Sequence, residues 1–126
     1  MAKRKIIEIP GVHHQNPIPM GAKIGNVIYS SAISGIEPGS MSPPQDPDKQ
    51  AEALFRNIQT FMEQAGGTPD DIIRMTVYVK EEHYRDAINK EWLKMFPDEK
   101  NRPARHTLQV PVRGEALFQI ELVAVL

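Results

Sequence analysis

The sequence predicts an α+β domain in which one mixed sheet carries two helices on a single face. Three observations carry this expectation. Several short stretches alternate apolar and polar side chains with period two, as half-buried strands do. Two longer stretches repeat apolar residues at i, i+3, i+4 and i+7, as amphipathic helices do. Each helix has one apolar stripe and can cover one sheet face, which leaves the opposite face bare. At 126 residues the chain forms one domain, spanning 1–126, long enough to bury a real core.

The predicted order is β, β, β, α, β, α, β, β. Lys5–Ile9 reads as a short strand closed by Pro10-Gly11. Residues 12–20 are irregular, because two prolines and an asparagine forbid a sustained ladder. Lys23-Ile24 then turns through Gly25-Asn26, a hairpin pair, into Val27–Ser31. A Pro-, Gly- and Ser-rich loop covers 37–47.

The first helix is capped by Asp46, with Pro47 at its first position and Asp48 at the positive end of the dipole. Ala51, Leu54, Phe55, Ile58, Phe61, Met62 and Ala65 form its apolar stripe, and Gly66-Gly67 ends it. Thr68 to Asp71 repeats the capping pattern for one further turn. Ile72–Lys80 follows as a strand, with Met75, Val77 and Val79 opposing Thr76 and Tyr78. The second helix runs from about Glu81 to Phe96, and Pro97 stops it.

The last quarter, Arg102 to Leu126, predicts a hairpin. Its first arm sets Arg105, Thr107 and Gln109 against His106, Leu108 and Val110. Its second sets Phe118, Ile120, Leu122, Ala124 and Leu126 against Leu117, Gln119, Glu121, Val123 and Val125. On this reading His106 and the apolar sets face the core, while Arg105, Thr107, Gln119 and Glu121 gather on the open face as a candidate site. A register placing Thr107 opposite Gln119 would place Arg105 opposite Glu121, making a cross-strand ion pair natural. A half-apolar bare face also favours self-association.

Composition excludes several functions. With no cysteine there is no disulfide, thiolate nucleophile or Cys-based zinc site. A formal net charge of −1 without a basic face argues against nucleic acid as partner. No apolar run approaches the ~20 residues of a membrane span, so a soluble cytoplasmic protein without membrane partners is the expectation. His13-His14 suggests a metal, but adjacent residues in an extended segment diverge and no third ligand has suitable spacing. Neither a metal nor another cofactor is expected.

Five stretches together resemble the RidA/YjgF family, the reactive-intermediate imine deaminases, also known as endoribonuclease L-PSP. They are IGNVIYSSAISG (24–35), AGGTPDDIIRMTVYVK (65–80), DAINKEWLKMF (86–96), RPARHTL (102–108) and QIELVAV (119–125). The resemblance implies a chorismate-mutase-like α+β fold and a homotrimer with clefts between subunits. It implies 2-iminobutanoate/2-iminopropanoate deaminase activity, with a small carboxylate-bearing metabolite as ligand. Arg105 matches the family's carboxylate-binding arginine, Ser31 its cleft serine, Asn89 its second-helix asparagine, and Thr107 a position often occupied by cysteine. Ile18 stands where many members have tyrosine. Gln119 stands where active members have the glutamate that positions water, and Glu121 matches the second acid.

Hydrolysis of a 2-imino acid needs a held carboxylate, a protonated imine nitrogen and a directed water. The planar fork of Arg105 suits the first task. Gln119 can orient water but cannot accept its proton, and loss of a general base costs roughly 10²–10⁴ in rate. Glu121 is about 6.6–6.8 Å further along the strand. The residues therefore imply an imine hydrolase or, alternatively, a non-catalytic or differently catalytic trimeric binder of small carboxylates.

Overall fold

The computed structural model describes residues 3–126. Its strands are β1 (Lys5–Ile7), β2 (Gly21–Ile24), β3 (Val27–Ser30), β4 (Ile72–Val79), β5 (Ala104–Gln109) and β6 (Phe118–Val125). The helices are α1 (Pro47–Gln64) between β3 and β4, and α2 (Arg85–Met95) between β4 and β5. All six strands join one mixed sheet in the order β1-β2-β3-β6-β4-β5. Among the described residues, no helix is long and apolar enough to cross a membrane.

Local chemistry sets the boundaries. The Asp46 carboxylate accepts the Lys49 backbone N–H at 3.0 Å and starts α1. At the other end, Gly66 turns at φ 89°. The Gly66 and Gly67 N–H groups then close on Glu63 and Met62 carbonyls at 3.0 and 2.9 Å. Thr68 and Asp71 form a reciprocal capping box that leads into β4. A single turn of 3₁₀ helix, Glu82–Tyr84, precedes α2, where the sequence suggested one continuous helix.

The core lies between the sheet and the helices. Leu54, Ile58, Phe61 and Met62 of α1 and Ile88 of α2 are fully buried with Ile28, Met75, Val77, Phe118 and Ile120 of the sheet. Two buried polar side chains of α1 hold the connections. Gln50 donates to the Pro44 carbonyl and accepts the Leu117 N–H, both at 2.7 Å. Asn57 donates to the Ser34 and Ile36 carbonyls at 2.9 and 2.8 Å. On the far side of the sheet Tyr29 is 62% exposed, and Val27 and Val125 are exposed too. That face is bare.

The C-terminal hairpin does not form. β5 runs parallel to β4, and β6 runs antiparallel to β4 on its other edge. Parallel neighbours require a crossover, and α2 is that crossover. Alternation in 105–110 and 117–126 specifies which side chains share a face, not which strand lies alongside.

Inserting β4 between the two arms changes the faces. Across the β4–β5 ladder Arg105 aligns with Met75 and Thr107 with Val77, both core residues. Aligned residues in a ladder point the same way. Arg105 and Thr107 therefore lie on the helix side. His106 and Leu108 share the open side with Thr76 and Tyr78, so His106 is exposed rather than turned to the core.

Candidate functional site

Arg105 sits at the sheet edge against α2. Its guanidinium carbon lies 5.1 Å from the Trp92 ring centroid, a cation–π stack that fixes the plane of the fork. Its Nε donates to Thr107 Oγ1 at 2.9 Å. With Nε engaged, the two terminal nitrogens keep their donors for a bidentate carboxylate. No carboxylate pairs with Arg105 among the described residues. Burial, then the nearby positive charge of Arg85, push its guanidinium below the ordinary arginine value. It stays charged in the accessible pH range.

Arg85 reaches the same spot from the first turn of α2. One terminal nitrogen donates to the Thr107 carbonyl at 3.4 Å, and its Nε pairs with Glu82 at 2.6 Å. Asn89 is exposed, four residues after Arg85 and three before Trp92. That spacing puts it on their helix stripe, beside the Arg105 edge.

A second set of groups lies on the open face. Tyr78 stands opposite Gln119, and Thr76 opposite Glu121, across the β4–β6 ladder. The Tyr78 hydroxyl donates to the Glu121 carboxylate at 2.6 Å. Tyr78, Gln119 and Glu121 line an open cleft of about 310 Å³ together with Pro111, Val112 and Arg113. Gln119 also borders a neighbouring cleft of about 430 Å³ whose walls include His14, Ala32 and Glu115. Neither cleft reaches Arg105.

The candidate residues thus divide. Arg105 and Thr107 meet on the helix side, with Asn89 on the adjoining stripe. Gln119 and Glu121 meet on the other side. The Arg105–Glu121 ion pair is not made, since β4 separates their strands and Glu121 is bonded to Tyr78. Ser31 lies just beyond β3, and its hydroxyl donates to the Pro19 carbonyl at 2.8 Å, pinning the irregular 12–20 segment.

Comparison with known proteins adds to this geometry. A family model described as endoribonuclease L-PSP matches residues 15–126. The chain belongs to that family, the RidA/YjgF family. A RutC family protein of Haemophilus influenzae is 30% identical over 112 residues, covering 86% of each chain. The 2-iminobutanoate/2-iminopropanoate deaminase of Escherichia coli K12 is 28% identical, covering 86% of this chain and 87% of its own. The crystal structure of E. coli TdcF with bound serine superposes with a TM-score of 0.85 at 28% identity, covering 97% and 98% of the two chains.

Within this RidA/YjgF fold, sequence reasoning passed over three side chains. Trp92 reads as one more apolar residue on a helix stripe, yet it carries the Arg105 stack. Tyr78 reads as a strand residue, yet it holds Glu121. Arg85 gives no signal in isolation, and only the crossover brings it to Thr107.

Proposed function

We propose that this RidA/YjgF-family chain hydrolyses reactive imines derived from amino acids, with Arg105 holding the substrate carboxylate. The Arg105 edge is the observation that carries the reading. It is a half-buried, ring-stacked guanidinium with two free terminal nitrogens and no carboxylate partner among the described residues. The deaminase name borne by the E. coli relative supports the same chemistry.

In this reading water adds its oxygen to the C=N carbon, and the nitrogen takes up a proton. The carbinolamine then collapses, expelling ammonia and leaving a 2-oxo acid. Holding and aligning the substrate supplies much of the rate for so labile a species. Gln119 directs the water through its amide oxygen. Arg105 and Gln119 face opposite sides of one sheet, so the working site combines the Arg105 edge of one subunit with the open face of another in a homotrimer. Ser31, Asn89 and Thr107 complete the cleft, Thr107 by orienting the Arg105 fork.

The test is ammonia release from 2-iminopropionate generated in situ. Acceleration by the protein, lost in Arg105→Ala, is expected. No acceleration of this or any other 2-imino acid, with none gained in Gln119→Glu, would remove the hydrolase reading. A second reading, a trimeric carboxylate binder without hydrolysis, is favoured by one feature: the acid on this face is already bonded to Tyr78. Thermal stabilisation by 2-oxo acids without imine turnover would select it.

A further inference from the structure

We infer that the ligand of the Arg105 edge carries a second carboxylate, held by Arg85, so that the substrate class is the 2-imino dicarboxylates. The hydrolytic half of this inference rests on the deaminase reading; the binding half stands without it.

Two guanidinium groups converge on one residue. Arg105 donates to the Thr107 side chain at 2.9 Å, and Arg85 to the Thr107 backbone carbonyl at 3.4 Å. Like charges brought this close repel, and partial burial weakens the solvent screening that would relieve them. Glu82 is the one carboxylate paired with this cluster among the described residues, and it binds Arg85 through Nε. Two cations against one anion leave the edge with an excess positive charge. A dicarboxylate would turn that repulsion into attraction at both ends.

The donors are arranged for two anions rather than one. Arg105 offers its two terminal nitrogens, because Nε is spent on Thr107. Arg85 spends Nε on Glu82 and lends one terminal nitrogen to a long bond with Thr107. The rest of its fork stays available at the start of α2, where the side chain is 40% exposed. A substrate with a short alkyl side chain would place apolar surface against this guanidinium and leave it unmatched. Covering its remaining N–H donors without replacing their water partners is costly, so such a substrate would be selected against. Asn89, on the same helix stripe, adds an amide that can hydrogen-bond a carboxylate or the imine nitrogen.

The experiment compares stable 2-oxo acids of matched length by calorimetry, 2-oxoglutarate against 2-oxovalerate, using the full chain. Tighter binding of the dicarboxylate by roughly 10–100-fold is expected, the scale of one charge-assisted contact. Arg85→Ala should bring the ratio of the two dissociation constants close to one, and Arg85→Lys should restore part of it. Arg105→Ala should weaken both ligands. A wild-type ratio of one or less, or equal weakening of both ligands in Arg85→Ala, would overturn the inference. Imine hydrolysis is followed separately. A dicarboxylate preference in binding without turnover of any imine would sink the deaminase reading and leave this inference standing. Turnover of 2-iminopropionate with an unaltered ligand ratio in Arg85→Ala would do the reverse.

Discussion

The hydroxyl of Tyr78 donates a 2.6 Å hydrogen bond to the carboxylate of Glu121, on the face where Tyr78 also stands opposite Gln119. That bond, followed by desolvation and the negative charge of Glu121, pushes the phenol above its ordinary value, with Arg74 opposing. The phenol is held in its neutral form. Because its folded pKa is raised, the stabilisation is complete below the unfolded value of about 10 and is lost as pH rises through the folded value. Alkaline ultraviolet titration, read as the difference between the protein and Tyr78→Phe, should show this group ionising later than an ordinary tyrosine. Glu121→Gln should bring it back down. An unchanged midpoint in Glu121→Gln would show that the bond is not kept in solution.

Gln119 predicts a gain of function. A carboxylate there can take the proton that an amide cannot, so Gln119→Glu should raise kcat/KM for imine hydrolysis by roughly 10²–10⁴. The variant should also acquire an acidic limb in its pH–rate profile, from protonation of the new carboxylate. Equal rates in the two proteins would place the water elsewhere, with the Tyr78–Glu121 pair the nearest alternative.

The opposed directions of Arg105 and Gln119 predict complementation between subunits. Arg105→Ala and Gln119→Ala should each lose activity. Unfolded together and reassembled as an equal mixture, they should recover about a quarter of the intact clefts by random assortment. A mixture no more active than its components would argue that each chain builds its own site.

Gln50 predicts a stability effect far from any ligand. It is fully buried and bonds both the Pro44 carbonyl and the Leu117 N–H. Gln50→Leu keeps the bulk but strands both groups, at about 1–3 kcal/mol for each one left unsatisfied. Urea unfolding should show a lower midpoint with an unchanged slope. The exposed Gln59→Leu should shift stability by no more than about 0.5 kcal/mol.

Much of this fold could be read from residue patterns, because its local signals agree with one another. Asp46, Pro47 and the glycines after Ala65 bracket α1 by capping chemistry alone, and the structure repeats that bracket bond for bond. The Gly25 turn, at φ 58°, likewise joins β2 to β3 as its dipeptide suggests. Non-local pairing was not legible. Alternation in the last quarter is equally satisfied by a hairpin and by two strands flanking a third, and only the length and placement of α2 decide between them. The error carried into the site. It put Arg105 beside Glu121, two side chains that β4 holds on different strands and opposite faces. Arg85 and Trp92 were hidden for the same reason, since their contacts arise from the crossover rather than from neighbours in sequence.

The hydrogen bond from the Leu117 amide to Gln50 links two places that the sheet otherwise keeps apart. Leu117 immediately precedes β6, which carries Gln119, whereas Gln50 belongs to the first turn of α1 on the opposite layer. The Leu117 proton is protected only while the Gln50 side chain holds it, so its exchange should report that contact rather than the strand it adjoins. Gly35 backs onto the same turn, its Cα so close to the Gln50 carbonyl that an added Cβ would fall 2.2 Å from the oxygen. Loop, helix and strand entry therefore share the Gln50 contact, and a substitution there should alter exchange at Leu117 beside the open face.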